Sequence, residues 1–213
     1  MSEFKTWHND ILGAKVTEAL AENNFSALYV PNRQQAVTKV MELIPLAASV
    51  GIGGSWTIQE LGLNDLLTAR GNTVFNHNQP GLSPEESLAV RRRELTADVF
   101  LASTNAVTLD GQLVNVDGAG NRVAAMIFGP KQVIIVAGVN KIVRDVAAAE
   151  ERIALYAAPI NNKRLSRPNP CVQAGTCLKC KNSTRICNVT TIMHKRPSAV
   201  DLQIIIVGED LGF

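Results

Sequence analysis

The sequence predicts an α/β domain built on a mostly parallel sheet with helices on both faces. Two observations carry this prediction. Short apolar strands alternate with helical segments along most of the chain, which makes right-handed crossovers and parallel pairing the default. The segment "KQVIIVAG" is apolar at successive rather than alternate positions, as in strands buried on both faces. A chain of 213 residues buries a sizeable core without staples. Its 46 % apolar and 19 % charged residues exclude disorder. Residues 1–213 read as one domain carrying a Cys-rich loop at 169–188.

The elements follow in order. "FKTWHNDILGAKVTEALAENN" has helical spacing, with Ile11, Val16 and Leu20 among its apolar positions. "SALYV" is a strand and "RQQAVTKVMELI" an amphipathic helix. "AASVGIGG" is a buried strand running into glycines, and "TIQELGLNDLLTARG" a helix stopped by Gly71. "NTVFNHN" is a short strand. "SPEESLAVRRRELTA" opens with a capping box, Ser83 with Glu86, and Pro84 in the first turn. "DVFLAS" is a strand, and "AVTLDGQLVNV" carries the Asp110–Gly111 hairpin signal. "NRVAAMIFG" is a short helix that Asn121 could cap, "KQVIIVAG" a strand, and "KIVRDVAAAEERIALYAA" a long helix. The cysteine loop comes next, and "VDLQIIIVGE" supplies a last strand.

No apolar run is long enough to span a bilayer. "MSEFKTWHND" lacks a basic-then-apolar signal pattern. The expected location is the cytoplasm, where disulfides are rare. The net charge of +2 conceals an asymmetry: Lys163 to Val200 holds eight Lys or Arg and no Asp or Glu, against thirteen basic and nineteen acidic residues elsewhere. No aromatic residue lies in that basic stretch, so it has no stacking platform for nucleic acid.

That stretch also holds every cysteine: Cys171, Cys177, Cys180 and Cys187, spaced C-x5-C-x2-C-x6-C. A Cys-x-x-Cys redox dithiol does not come with two further thiols. Structural zinc takes four thiolates, usually as two close pairs, and only one close pair is present. An iron–sulfur cluster also takes four thiolates, and its plant-type spacing C-x4-C-x2-C…C is the nearer match. Lys179, Lys181 and Arg185 inside the loop, with Arg167, Lys195 and Arg196 beside it, favour thiolate. They also offset the charge of a four-thiolate centre, which leans toward iron–sulfur, of undetermined type, over zinc.

A second candidate is the turn "SVGIGGSWTIQELG". Gly51, Gly53 and Gly54 let backbone N–H groups approach a ligand, and Ser55 or Thr57 could cap the helix that follows. Such a helix start attracts anions. It is neither a dinucleotide fingerprint nor a Walker motif, and a ligand-free tight turn is the competing reading. "NVDGAGNRVAAM" is a second glycine-rich entry to a helix, with Arg122 as an anion contact. Asp117 and Asn105 stand near strand ends, where open α/β sheets bind ligands. His8, His77 and His194 form no catalytic pattern, Glu60 reads as a helix-dipole residue, and no catalytic residue is legible.

Taken together, "VGIGGSWTIQELGL", "LASTNAVTLDGQLVNVDGAGNRVAAMIFGPKQVIIVAGVNKIV", "AAPINNKRL", "PCVQAGTCLKCKNSTRICN" and "IIIVGEDLGF" resemble the lactate-utilisation (LUD) domain family. The likeness is strongest to its subgroup that ends in a four-cysteine tail. The resemblance implies a three-layer α/β/α fold like that of phosphosugar isomerases and CoA transferases. It implies that Gly51, Gly53, Gly54, Ser55 and Thr57 stand where those folds hold a phosphate or acyl-carrying ligand. It also implies a part in oxidising lactate to pyruvate with companion redox proteins, as an electron-transferring oxidoreductase subunit whose four cysteines ligate an iron–sulfur cluster. The alternative is a non-redox domain that binds a phosphate ester or CoA-type ligand at the glycine turn and carries a structural zinc.

Overall fold

The computed structural model describes residues 2–213. Helix α1 (Glu3–Glu22) is capped by the Ser2 side chain and buries Asn9, Gly13, Val16 and Leu20, one stripe at helical spacing. Ile11 falls outside that stripe and is exposed. Gly13 is required there, because a Cβ would lie 2.3 Å from the Tyr29 ring. Strand β1 (Ser26–Val30) and helix α2 (Arg33–Leu43), capped by Asn32, follow. After β2 (Ser49–Ile52), the expected single helix divides into α3 (Trp56–Glu60) and α4 (Leu63–Ala69). The break is Gly62, whose φ of 65° is a left-handed conformation that suits glycine.

Strand β3 (Thr73–Asn76) leads to α5 (Pro84–Glu94), where the Ser83–Glu86 capping box is formed in both directions. Strand β4 (Val99–Ala102) precedes the hairpin of β5 (Ala106–Thr108) and β6 (Leu113–Asp117), which turns at Gly111 with φ 79°. Helix α6 (Asn121–Ile127) is capped by Gly120 rather than Asn121, which is its first helical residue. Strand β7 (Gln132–Gly138) ends in a 3-10 turn, Val139–Lys141, and the two-residue strand β8 (Ile142–Val143).

Helix α7 (Val146–Arg152) therefore starts later than the sequence suggests, at the Asp145 cap. It continues through a π-helical turn, Ile153–Ala157, into α8 (Ala158–Arg164). Pro159 has no N–H to donate into the preceding turn, which accounts for the wider turn ahead of it. Short helix α9 (Cys171–Ala174), strand β9 (Val189–Met193) and strand β10 (Asp201–Val207) complete the chain.

Six strands form a wholly parallel sheet in the order β1-β10-β7-β4-β2-β3. Alternate residues of its central strands feed two cores. Val133, Ile135, Ala137, Ile204 and Ile206 pack with α1 and α6 on one face. Ile134, Val136, Ile205 and Val207 pack with α2, α3 and α4 on the other. The fold is thus three-layer α/β. A second sheet, β8-β5-β6-β9, packs on α7 through Ala106, Val114, Ala149 and Ile153.

Candidate functional site

Strands β2, β3, β4 and β7 point the same way, and past their carboxyl ends stand Gly54, His77, Ser103 and Lys141 in turn. Open parallel sheets bind ligands at that edge. Gly51 and Gly53 serve packing. A Cβ on Gly51 would lie 2.9 Å from the Glu94 backbone, and one on Gly53 would lie 3.0 Å from Phe100. Gly54 is the glycine at the site: it lines three adjoining cavities, and a Cβ there would lie 3.3 Å from His77 Nε2.

The first cavity is a niche of about 60 Å³ shared by Ser55, Thr57, Ser103, Arg122 and Lys141. Ser55 caps α3 by accepting from Ile58 N. Lys141 is 2 % exposed and donates to Thr57 Oγ1 at 2.8 Å and Ser103 Oγ at 2.9 Å. Burial, followed by the nearby Arg152 and Arg122 charges, pushes its amine down to about 7. Arg122 uses all five of its N–H donors, on Asp117, Ser103 O, Asn115, Asn105 and Val116 O. It brings positive charge and holds the β4, β6 and α6 ends together. Asn105 and Asp117 are two of its acceptors. Glu60 accepts from Trp56 Nε1 and Gly212 N, and so pins the 212–213 segment beside the niche.

The second cavity is a cleft of about 320 Å³. Five arginines (Arg91, Arg122, Arg164, Arg167 and Arg185) face it, against one carboxylate, Asp117, which is paired with Arg122. Arg91 Nε is buried without a hydrogen-bond partner. His77 and Asn121 line the same cleft. His77 Nδ1 lies 2.7 Å from Glu94 Oε1, and Glu94 is 1 % exposed. A third cavity of about 740 Å³ opens across Gly54, between α3, α4 and β3.

Cys171, Cys177, Cys180 and Cys187 line one small, largely apolar cavity. Asn169 clamps this loop: Nδ2 donates to Asn162 Oδ1 at 2.7 Å and Thr184 O at 3.0 Å, and Oδ1 accepts from Thr184 Oγ1. Arg185 ties two turns by donating to Cys187 O and Cys180 O. Lys179, at φ 51°, directs its N–H to Cys177 Sγ at 3.4 Å. Among the described residues, no three His, Cys, Asp or Glu side chains are grouped to hold a single metal ion. Burial raises the Cys171 and Cys187 thiols, outweighing the lowering by Arg185 at Cys187. The sequence-based expectation that local cations dominate therefore fails at these two positions, because desolvation is the larger effect.

The two regions touch. Arg185 and Ile186 line both the arginine cleft and the cysteine cavity, and Ser183 and Thr184 line the cleft beside them. Of the residues singled out in the sequence, Gly54, Ser55, Thr57 and Arg122 meet in the niche, Asn121 joins Arg122 in the cleft, Gly53 lines the third cavity, and Gly51 packs behind them against Glu94. Lys141, Glu94 and Arg91 were not foreseen, since each lies in a stretch that reads as a solvated helix or turn. His194 pairs with Gln112 and does not line the cysteine cavity.

Among the described residues, no helix is long and apolar enough to cross a membrane. No curated protein matches the chain. The solved structure of a DUF162 family protein from Deinococcus radiodurans is similar to it with a TM-score of 0.54 at 16 % identity, covering 93 % of this chain and 98 % of that one, which supports the fold. The model of the LUD domain matches residues 13–207, most of the chain, and on that match the protein belongs to the LUD domain family.

Proposed function

We propose that this LUD domain protein is an iron–sulfur electron-transfer subunit of a lactate-oxidising system, in the subgroup with the four-cysteine tail. The observation that carries the reading is the wall common to the arginine cleft and the cysteine cavity. A small anionic acid in the cleft would lie one layer of residues from a centre held by Cys171, Cys177, Cys180 and Cys187. The four thiols surround one cavity, and their spacing, with a single close pair, is nearer the plant-type cluster pattern than the two close pairs usual for structural zinc. A cluster held there would accept and pass single electrons.

The chain's own residues supply the remainder. Arg91, Arg164, Arg167 and Arg185 would bind the carboxylate, and Arg122 would add charge without donors. The niche at Ser55, Thr57 and Lys141 would take a second polar group. Exposed Lys179 and Lys181 beside the cysteines offer an acidic companion protein a docking point. One observation favours the alternative, a non-redox domain binding a phosphate ester or CoA-type ligand and carrying structural zinc: the niche is built without any cysteine.

A visible spectrum and a metal assay on anaerobically purified protein decide between them. The expected result is a brown, iron-containing protein that bleaches with dithionite. A colourless protein with about one zinc per chain would sink the redox reading.

A further inference from the structure

The cleft contains a histidine set up to move a proton. Glu94 Oε1 accepts from the His77 backbone N at 3.1 Å and faces Nδ1 at 2.7 Å. Its Oε2 lies 3.5 Å from Asn121 Nδ2. A carboxylate there fixes the proton on Nδ1 and leaves Nε2 of the neutral ring as an acceptor. Ser87 Oγ donates to His77 O and holds the backbone. The side chains are 8 % and 1 % exposed, so the pair is enclosed. Nε2 faces the bare Gly54 turn at the cleft and has no hydrogen-bond partner among the described residues. One turn before Glu94 on α5, Arg91 lines the same cleft, and its Nε is buried without a hydrogen-bond partner.

We propose that His77, oriented by Glu94, is the proton-exchanging residue of this cleft, and that it selects carboxylates bearing an oxygen on the adjacent carbon. The carboxylate rests on Arg91 and its neighbours, and the adjacent oxygen meets His77 Nε2. The substrate class rests on the lactate reading; the role of His77 does not depend on the metal. The hydroxyl of a bound 2-hydroxy acid donates a hydrogen bond to neutral Nε2. A 2-oxo acid can only accept there, so the ring must first take a proton from solvent and donate it as imidazolium. The charged groups around the ring are Glu94 and Arg91 on α5, Asp117 at the end of β6, Arg122 in the first turn of α6, Arg164 and Arg167 at and after α8, and Arg185 in the cysteine loop.

Calorimetric titration of the full chain with l-lactate, pyruvate and propionate tests this, in two buffers of different ionisation heat at about pH 8. Lactate and pyruvate should bind about tenfold or more tighter than propionate, which lacks the second oxygen. Pyruvate should take up close to one proton per site from buffer, and lactate none. His77→Gln should abolish that difference and bring the three affinities to within about threefold, with propionate binding unchanged. Glu94→Gln should reduce the pyruvate proton uptake in a chain that keeps its histidine. Equal proton uptake for lactate and pyruvate in the unaltered protein overturns the proposal, as does propionate binding as tightly as lactate, or no binding of any of the three. Iron without this selectivity leaves the redox reading standing and removes the role of His77. The selectivity without iron does the reverse.

Discussion

Lys141 shows how a cation can be hidden from a sequence reading. The sequence places it at the start of the long helix "KIVRDVAAAEERIALYAA"; the fold instead puts it in the turn after β7, beside β4, and shuts the amine between Thr57 and Ser103. Arg122 stays cationic in similar burial because five acceptors meet its guanidinium, whereas Lys141 has two hydroxyls and two neighbouring arginines. Its pKa of about 7 fixes a sign. Between about pH 7 and 10 the unfolded chain holds a proton that the folded one lacks, so stability rises with pH through that window. Below about pH 7 both states hold the proton, and this dependence vanishes. Lys141→Met should remove it. From pH 7 to 9 the unaltered protein should gain about 2 kcal/mol relative to the variant, read as a relative rise in Tm of roughly 4–8 °C. A constant Tm difference across that range would show that the amine stays charged when folded.

At the scale of elements, what was legible divides by how local the cause is. The capping box of α5 and the Asp-Gly hairpin rest on neighbouring residues, and both form as read. Strand β9 lies just past the 169–188 loop, in a stretch to which the sequence reading assigns no element, although "VTTIM" is β-branched. It becomes a strand by pairing with β6, more than seventy residues away. That pairing anchors the far end of the cysteine loop. The near end hangs on Asn169, whose amide joins Asn162 of α8 to Thr184. Gly118 lets the loop lie close, since a Cβ there would come within 3.2 Å of the Ile186 Cα. Asn169→Ala removes three hydrogen bonds at a site 3 % exposed, a loss of about 2–3 kcal/mol. The loss should be local. Hydrogen exchange in residues 171–188 should quicken at least tenfold, while the amides of β7 and β10 keep their protection. A loop that stays protected in the variant would mean that Gly118 and β9 hold it unaided.

Across the whole molecule, the parallel sheet followed from strand–helix alternation, and the cysteine cluster stood out as a candidate site from spacing and charge. Their adjacency did not, because it depends on β6 and β9 carrying the loop back to the carboxyl edge of the large sheet. That adjacency has an energetic consequence. Ser183 to Ile186 form part of the cleft wall, and the same segment lies between Cys180 and Cys187. A metal centre held by those cysteines, as proposed above, would also order the wall, so metal and cleft ligand would be linked reciprocally. Chelator-treated protein should bind lactate more weakly than metal-loaded protein, by roughly 5-fold or more if the coupling reaches about 1 kcal/mol. Saturating lactate should slow metal loss to a competing chelator, the kinetic sign of the same coupling. Both effects should shrink at high salt, since the cleft binds through arginine charge. Equal lactate affinity with and without metal would mean that Asn169 and Arg185 alone set the wall, and that the cysteine centre reports on the cleft without shaping it.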